Sequence, residues 1–201
     1  MWLFERQYRS SEKNGPLTIR RRFGRWQVCA KGYQQSGERL NAIWRDAFKR
    51  VREDVVAKPK ALLLGLGAGG IVKELHKAFA GALVKAVEYD ATMIALAKEL
   101  NTYAPHPAPE IIYADALQVV PNLREQFDLI VVDIFSGNEP SPLLADKIFL
   151  AALKEKLAQK GVLLVNVCSN THFLEEVQKF FPVSQRWQYK LNTLGAFRLS
   201  L

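Results

Sequence analysis

Ala61-Leu62-Leu63-Leu64-Gly65-Leu66-Gly67-Ala68-Gly69-Gly70 is the stretch on which the reading of this chain turns. Its apolar start is too short for a helix and reads as a strand buried on both faces. The glycines behind it let the backbone bend sharply and come close to a ligand. From 71 to 80 the apolar residues Ile71, Val72, Leu75, Ala78 and Phe79 fall at helical spacing. Leu83-Val84-Lys85-Ala86-Val87-Glu88 then reads as a second strand, with Asp90 just beyond it as a cap for the next helix. Strand, glycine bend, helix, strand and terminal acid make one βαβ nucleoside-binding unit. Backbone N–H groups face the ligand, and the carboxylate accepts from both ribose hydroxyls. Gly65, Gly67 and Gly70 fit Gly-x-Gly-x-x-Gly, a weak signal alone that gains weight from its flanks and from Glu88, 18 residues past Gly70. The bland alternative is tight strand-to-helix packing with no ligand.

Towards the N-terminus, Leu40, Ile43, Trp44, Ala47, Phe48, Val51 and Val55 share one face of a helix expected over 38–56. Strands over 17–22 and 25–30, joined through Phe23-Gly24, form a short β-hairpin, and the residues before Pro16 are polar and loosely held. Towards the C-terminus the pattern predicts a crossover helix over 91–100, a short strand over 110–113 that delivers Asp115, and a central strand over 127–133 that ends in Asp133. A loop over 136–142, a helix over 143–159 closed at Gly161, a strand over 162–167, a helix over 171–180 and an antiparallel pair over 182–189 and 194–201 complete the chain. The expected fold is α/β: a Rossmann-like, doubly wound, mostly parallel seven-stranded sheet. Residues 1–37 supply the N-terminal segment with its hairpin, and 38–201 the nucleoside-binding domain.

The composition narrows the function classes. A 201-residue chain that is 49% hydrophobic builds one ordinary α/β domain. No apolar run approaches the length of a membrane span, and charge interrupts Met1-Trp2-Leu3-Phe4-Glu5 too early for a signal peptide, so a cytoplasmic protein is expected. Cys29 and Cys168 lie far apart in apolar runs and read as buried thiols. With His76, His106 and His172 scattered, no metal-ligand spacing appears. His172 follows Asn170 near the end of a strand and is a candidate for touching substrate, and Tyr33 and Trp44 are either core or pocket wall. The formal charge of +8 concentrates in the first sixty residues, which fits either a nucleic-acid surface or a solvated basic face.

Glu88, Asp115 and Asp133 each close a strand, and ligands of open parallel sheets bind outside the strands' carboxyl ends. The three therefore converge on one crevice. Glu88 takes the ribose, Asp115 accepts from an exocyclic adenine amine, and Asp133 stands nearest the reacting end.

In that order, Leu-Gly-Ala-Gly-Gly, Val-Glu-Tyr-Asp, Ala-Asp-Ala and Phe-Asp-Leu-Ile-Val-Val-Asp resemble the class I S-adenosylmethionine-dependent methyltransferase fold and, more closely, its spermidine synthase branch. The resemblance covers roughly residues 17–190. It implies S-adenosylmethionine or its decarboxylated form as cofactor, with Glu88 on the ribose, and Asp115 with Ala116 at the adenine. It also implies that Gly65, Gly67 and Gly69 line the methionine portion and that Gln35 in Gly-Tyr-Gln-Gln helps hold the cofactor; Asp133 is expected to contact the cofactor and serve catalysis from its place at the strand end, not from the family pattern. Spermidine synthases carry Gly-Gly-Gly-Asp-Gly-Gly at the first turn, where this chain has Ala68, and Asp-Ser-Ser-Asp-Pro after the fourth strand, where it has Gly137 for the second acid. Losing both carboxylates removes the charge complement and the general base of a polyamine site. The expected function is thus a transferase, foremost a methyltransferase for a small-molecule acceptor that the sequence does not define. An aminopropyltransferase and a non-catalytic nucleoside-binding homologue are the alternatives. A nicotinamide-dependent oxidoreductase fits Asp115 and the helix after Asp133 less well. The synthase branch also implies a homodimer.

Overall fold

The computed structural model describes residues 4–136, 139–168 and 170–200. In chain order the elements are β1 (Phe4–Ser11), β2 (Gly15–Arg22), β3 (Arg25–Ala30), β4 (Tyr33–Ser36), α1 (Glu38–Arg50), β5 (Lys60–Leu64), α2 (Gly70–Ala78), β6 (Leu83–Glu88), α3 (Ala91–Leu100) and β7 (Glu110–Tyr113). Then follow α4 (Ala116–Val119), β8 (Phe127–Val132), β9 (Phe135–Ser136), β10 (Glu139–Pro140), α5 (Lys147–Lys156), β11 (Leu157–Cys168), α6 (His172–Phe180), β12 (Val183–Tyr189) and β13 (Asn192–Arg198). Among the described residues the main sheet has seven strands, in the order β12-β13-β11-β8-β5-β6-β7, parallel from β11 to β7 and antiparallel at β13.

The unbroken apolar runs of the central strands follow from burial on both faces. Leu63, Val131 and Leu164 pack with Trp44, Phe48 and Leu75 of α1 and α2. Their neighbours Leu64, Val132 and Val165 point the other way and pack with Phe149, Leu153, Leu174 and Val177 of α5 and α6. From β5 the chain moves outward to β6 and β7 and then returns to β8 on the opposite flank of β5. The strand order thus reverses between β5 and β8, where open α/β sheets hold ligands. Leu64 pairs with both Val87 and Val132, so Gly65, Glu88 and Asp133 emerge side by side at that edge.

Several boundaries differ from expectation, each for a local reason. The N-terminal hairpin is the middle of a four-stranded antiparallel sheet, β1-β2-β3-β4. The segment expected to be loose is strand β1, and the side chains of Ser11 at its end and Asn14 beyond it donate to the buried Asp90 carboxylate. Helix α1 stops at Arg50, and the following turns still bury Val51 and Val55. The helix expected over 143–159 is a 3-10 turn over Pro142–Ala145 and then α5, which starts at the Asp146 cap. Gly161 is no helix cap: it lies in β11, which begins at Leu157 and shifts register against β8 between Leu157 and Val162. A Cβ at Gly161 would stand 3.0 Å from the Phe127 carbonyl oxygen, so glycine lets the two strands close there without a shift of the β8 backbone. Residues expected in a loop over 136–142 form the short β9–β10 ladder, with positions 137 and 138 outside the described residues. Among the described residues no helix is long and apolar enough to cross a membrane.

Candidate active site

The site grows out of the bend after β5. Gly65 has φ +90°, and a Cβ there would collide with the carbonyl oxygen of Asp133, so a side chain at this position would part the tips of β5 and β8. Two residues on, Gly67 has φ +53°, which aims its N–H at Glu88 Oε2, 3.1 Å away. Glu88 Oε1 accepts from the N–H groups of Tyr89 and Asp90, each at 3.0 Å. Burial pushes the Glu88 carboxyl above its ordinary pKa while these backbone amides pull it back. The acid is thus fixed at the strand end, and the lone pair left on Oε2 can accept from a ribose hydroxyl.

Register carries Asp115 to the same place, because Glu88 pairs with Tyr113 at the end of β7. Asp115 Oδ1 caps α4 by accepting from the Leu117 N–H at 2.9 Å, and Ala116 behind it is buried. On the other flank, Asp133 Oδ1 accepts from Asn166 Nδ2 at 2.7 Å, and Asn166 Oδ1 accepts from Asn192 Nδ2 at 3.1 Å. Burial is the largest influence on Asp133 and pushes its pKa up to about 6, opposed by the Asn166 amide and the neighbouring Trp44 indole. That indole is itself deeply buried, and among the described residues its Nε1–H, though turned to Asp133, makes no hydrogen bond of ordinary geometry.

Gln35, Gly65, Gly67, Glu88, Asp115, Ala116 and Asp133 all line one cavity of about 340 Å³, within the range of small-molecule sites. Gly69 does not line it. At φ +84° it precedes α2 and backs onto the Thr102–Tyr103 turn, where a Cβ would stand 3.0 Å from Thr102 Oγ1. Ala68 is also outside the cavity. Its methyl is sealed, at 1% exposure, in an apolar cluster with Leu17, Ile19, Val28, Met93 and Leu96 beneath the N-terminal sheet. Gly137 lies outside the described residues.

The remaining candidates separate cleanly. Trp44 is core, whereas Tyr33 is half exposed and lines the cavity. His172 starts α6 away from the cavity and faces Glu175 at 3.3 Å. His76 is packed rather than exposed, stacked on His106 with ring centroids 5.5 Å apart. Cys168 is buried, Cys29 is half-buried, and they form no disulfide. Among the described residues no group of three His, Cys, Asp or Glu side chains is placed to hold a metal ion.

Sequence reasoning missed Arg39, Asn41, Asn166 and Asn192, which all line the cavity. A signal existed for Asn166, a lone amide inside the apolar run Val162-Leu163-Leu164-Val165-Asn166-Val167. For Arg39 and Asn41 there was none, since only the fold brings the start of α1 over the glycine bend. A Cβ on Gly70 would clash with the Asn41 amide and stand 3.3 Å from Ser36 Oγ. Arg39 is the single cation among the described residues of the lining.

Comparison with known proteins shows what the chain and its fold are similar to. The spermine/spermidine synthase domain model matches residues 51–186. An "eEF1A lysine and N-terminal methyltransferase homolog" of Drosophila melanogaster is 29% identical over 165 residues, covering 75% of this chain and 24% of that protein. The chain therefore spans about a quarter of that relative's length. Among solved structures, a probable spermidine synthase from Corynebacterium glutamicum superposes with a TM-score of 0.79 at 16% identity, over 96% of this chain and 79% of that one. Human methyltransferase-like protein 13 in complex with SAH gives 0.65 at 23% identity, over 81% of this chain and 82% of that one.

Proposed function

From the premise that this chain belongs to the spermine/spermidine synthase domain family, we propose that it is an S-adenosylmethionine-dependent methyltransferase rather than a polyamine synthase. The observation that carries this reading is the burial of Ala68. The position that would present a polyamine-binding acid is closed into an apolar cluster under the N-terminal sheet, so the cavity has no carboxylate there to match a polycation. Arg39 supports it from the other side. A guanidinium in the cavity lining, the one cation among its described residues, suits the carboxylate of the methionine portion, which the decarboxylated cofactor lacks.

The bound sulfonium supplies an activated methyl group, and the chain's own task is to bind, to orient and to accept a proton. Glu88 and Asp115, on neighbouring strand tips, fit the ribose diol and the adenine amine, and Gln35 and Gly67 fit the wall along the methionine portion. Asp133, with its pKa near 6, is ionised at neutral pH and accepts the proton of an acceptor N–H or O–H. Asn166, held in turn by Asn192, fixes the direction of that carboxylate. The sequence relative named for lysine and N-terminal methylation is in keeping with an amine acceptor.

Calorimetric titration with S-adenosylmethionine, its decarboxylated form and NAD tests the reading. S-adenosylmethionine should bind at least tenfold more tightly than the decarboxylated form, and Arg39→Gln should abolish the difference. Tighter binding of the decarboxylated form would restore the aminopropyl reading, and preference for NAD would remove both.

A further inference from the structure

The basic charge of the chain is organised on the N-terminal sheet. The inward positions of β2 and β3 are Leu17, Ile19, Val28 and Ala30, which seal the sheet onto Ala68 and Met93. Side chains alternate along a strand, so Arg20 and Arg22 of β2, Arg25 and Gln27 of β3, and Arg6 and Tyr8 of β1 take the outer face. No outward position of β1, β2 or β3 carries an acid. The cross-strand register places Arg6 directly opposite Arg20, and Arg22 opposite Arg25. Like charges facing each other across a ladder destabilise a sheet, so the fold gains nothing from this arrangement by itself. Among the described residues neither Arg6 nor Arg20 pairs with a carboxylate, and Arg25 reaches only the exposed Glu38, at 3.6 Å.

Aromatic rings stand among these cations. Tyr8 is 70% exposed and Phe23, in the β2–β3 turn, 65%. The Arg6 guanidinium lies 5.7 Å from the Tyr8 ring centroid, and that of Arg22 5.2 Å from that of Phe23. Guanidinium groups suit phosphates, and exposed rings beside them offer stacking surfaces to unpaired bases. An acidic peptide would use the charge and leave the rings idle. A second copy of the chain would set arginine against arginine across a two-fold axis.

We propose that the outer face of the N-terminal sheet, built on Arg6, Arg20, Arg22, Tyr8 and Phe23, is a docking surface for single-stranded nucleic acid. Strand β4 joins this sheet to the cavity, whose lining includes Tyr33, Gln34 and Gln35. A strand crossing the face from the β1 edge to the β4 edge would reach the mouth of the site. That the strand carries the methyl acceptor rests on the transferase reading; the docking itself does not, and it is measured without turnover.

The test is fluorescence anisotropy with a labelled single-stranded RNA and a matching DNA, titrated with the whole protein across a salt series. The triple variant Arg6→Gln, Arg20→Gln, Arg22→Gln should bind at least tenfold more weakly. Its log K against log salt should also be shallower by about 2, from roughly 0.7 per lost phosphate contact. Tyr8→Ala should weaken binding severalfold with an unchanged salt slope. The triple variant should titrate S-adenosylmethionine as the parent does, because its three positions lie outside the cavity. Equal affinity of parent and triple variant would overturn the proposal. So would equal competition by polyglutamate with no effect of Tyr8→Ala, or a sedimenting dimer that the triple variant dissociates.

Discussion

Asp133 does two opposing things. Its carboxyl is half-buried in the cavity wall, and the desolvation there raises its pKa from an ordinary 3.8 to about 6. An acid with a raised native pKa gives stability that is fully present below the unfolded value and lost as pH rises through the folded one. Asp133→Asn should therefore melt higher than the parent at pH 8, lose that advantage near pH 4, and lower methyl transfer by at least a hundredfold. Thermal melts across pH and initial rates check both halves; an unchanged rate would remove Asp133 from catalysis. Asn166→Ala takes away the amide that favours the charged carboxylate. The rising limb of its pH–rate profile should move to higher pH, and a limb that stays in place would mean that Asn166 only packs. Asp133 was legible because it closes an apolar strand. Asn192 was not, because its partnership with Asn166 spans two strands paired only in three dimensions.

Among the elements, α3 shows how one side chain serves two structures. Asp90 Oδ1 caps the helix, accepting from the Thr92 N–H at 2.8 Å, while its Oδ2 anchors the Ser11–Asn14 turn of the N-terminal sheet. Asp90→Ala should cost about 3 kcal/mol, more than a cap alone, because buried donors on the turn lose their acceptor. A denaturant melt measures it, and a loss of only about 1 kcal/mol would mean that the cap alone counts. The cap was readable from Asp90 standing before an apolar-periodic run, whereas the anchor was not. Strand β1 reads Phe-Glu-Arg-Gln-Tyr-Arg-Ser-Ser, with no apolar alternation to announce a strand, since it lies at the sheet edge and most of its residues are exposed. Gly161 misled for a related reason. A glycine after lysines resembles a helix stop, yet here it permits two strands to close. Helix α2 carries the third case. His76 is buried against His106, and burial lowers its pKa from 6.5. Its contribution to stability is present above 6.5 and is lost as pH falls through the lowered value. His76→Leu should remove that part of the acid sensitivity, seen as a flatter Tm as pH falls below 6.5. An unchanged slope would assign the acid loss to other groups.

At the scale of the molecule, the doubly wound sheet was legible because strands buried on both faces leave an unmistakable apolar run, and because three of the strands deliver an acid at or just past their ends. The convergence of Glu88, Asp115 and Asp133 then follows from register alone, and the structure brings all three to one cavity. What the sequence held back is the cover. The N-terminal sheet seals Ala68, and the start of α1 delivers Arg39 and Asn41 over the glycine bend. These contacts join segments distant in the chain and carry no local pattern. The central claim is that a nucleoside lies across the tips of β6 and β7. A crystal soaked with S-adenosylhomocysteine tests it most directly. The account predicts the ribose hydroxyls on Glu88, the adenine amine on Asp115 and the amino-acid end beside Gly67 and Arg39; a nucleoside bound elsewhere, or turned so that Glu88 meets no sugar, would contradict it.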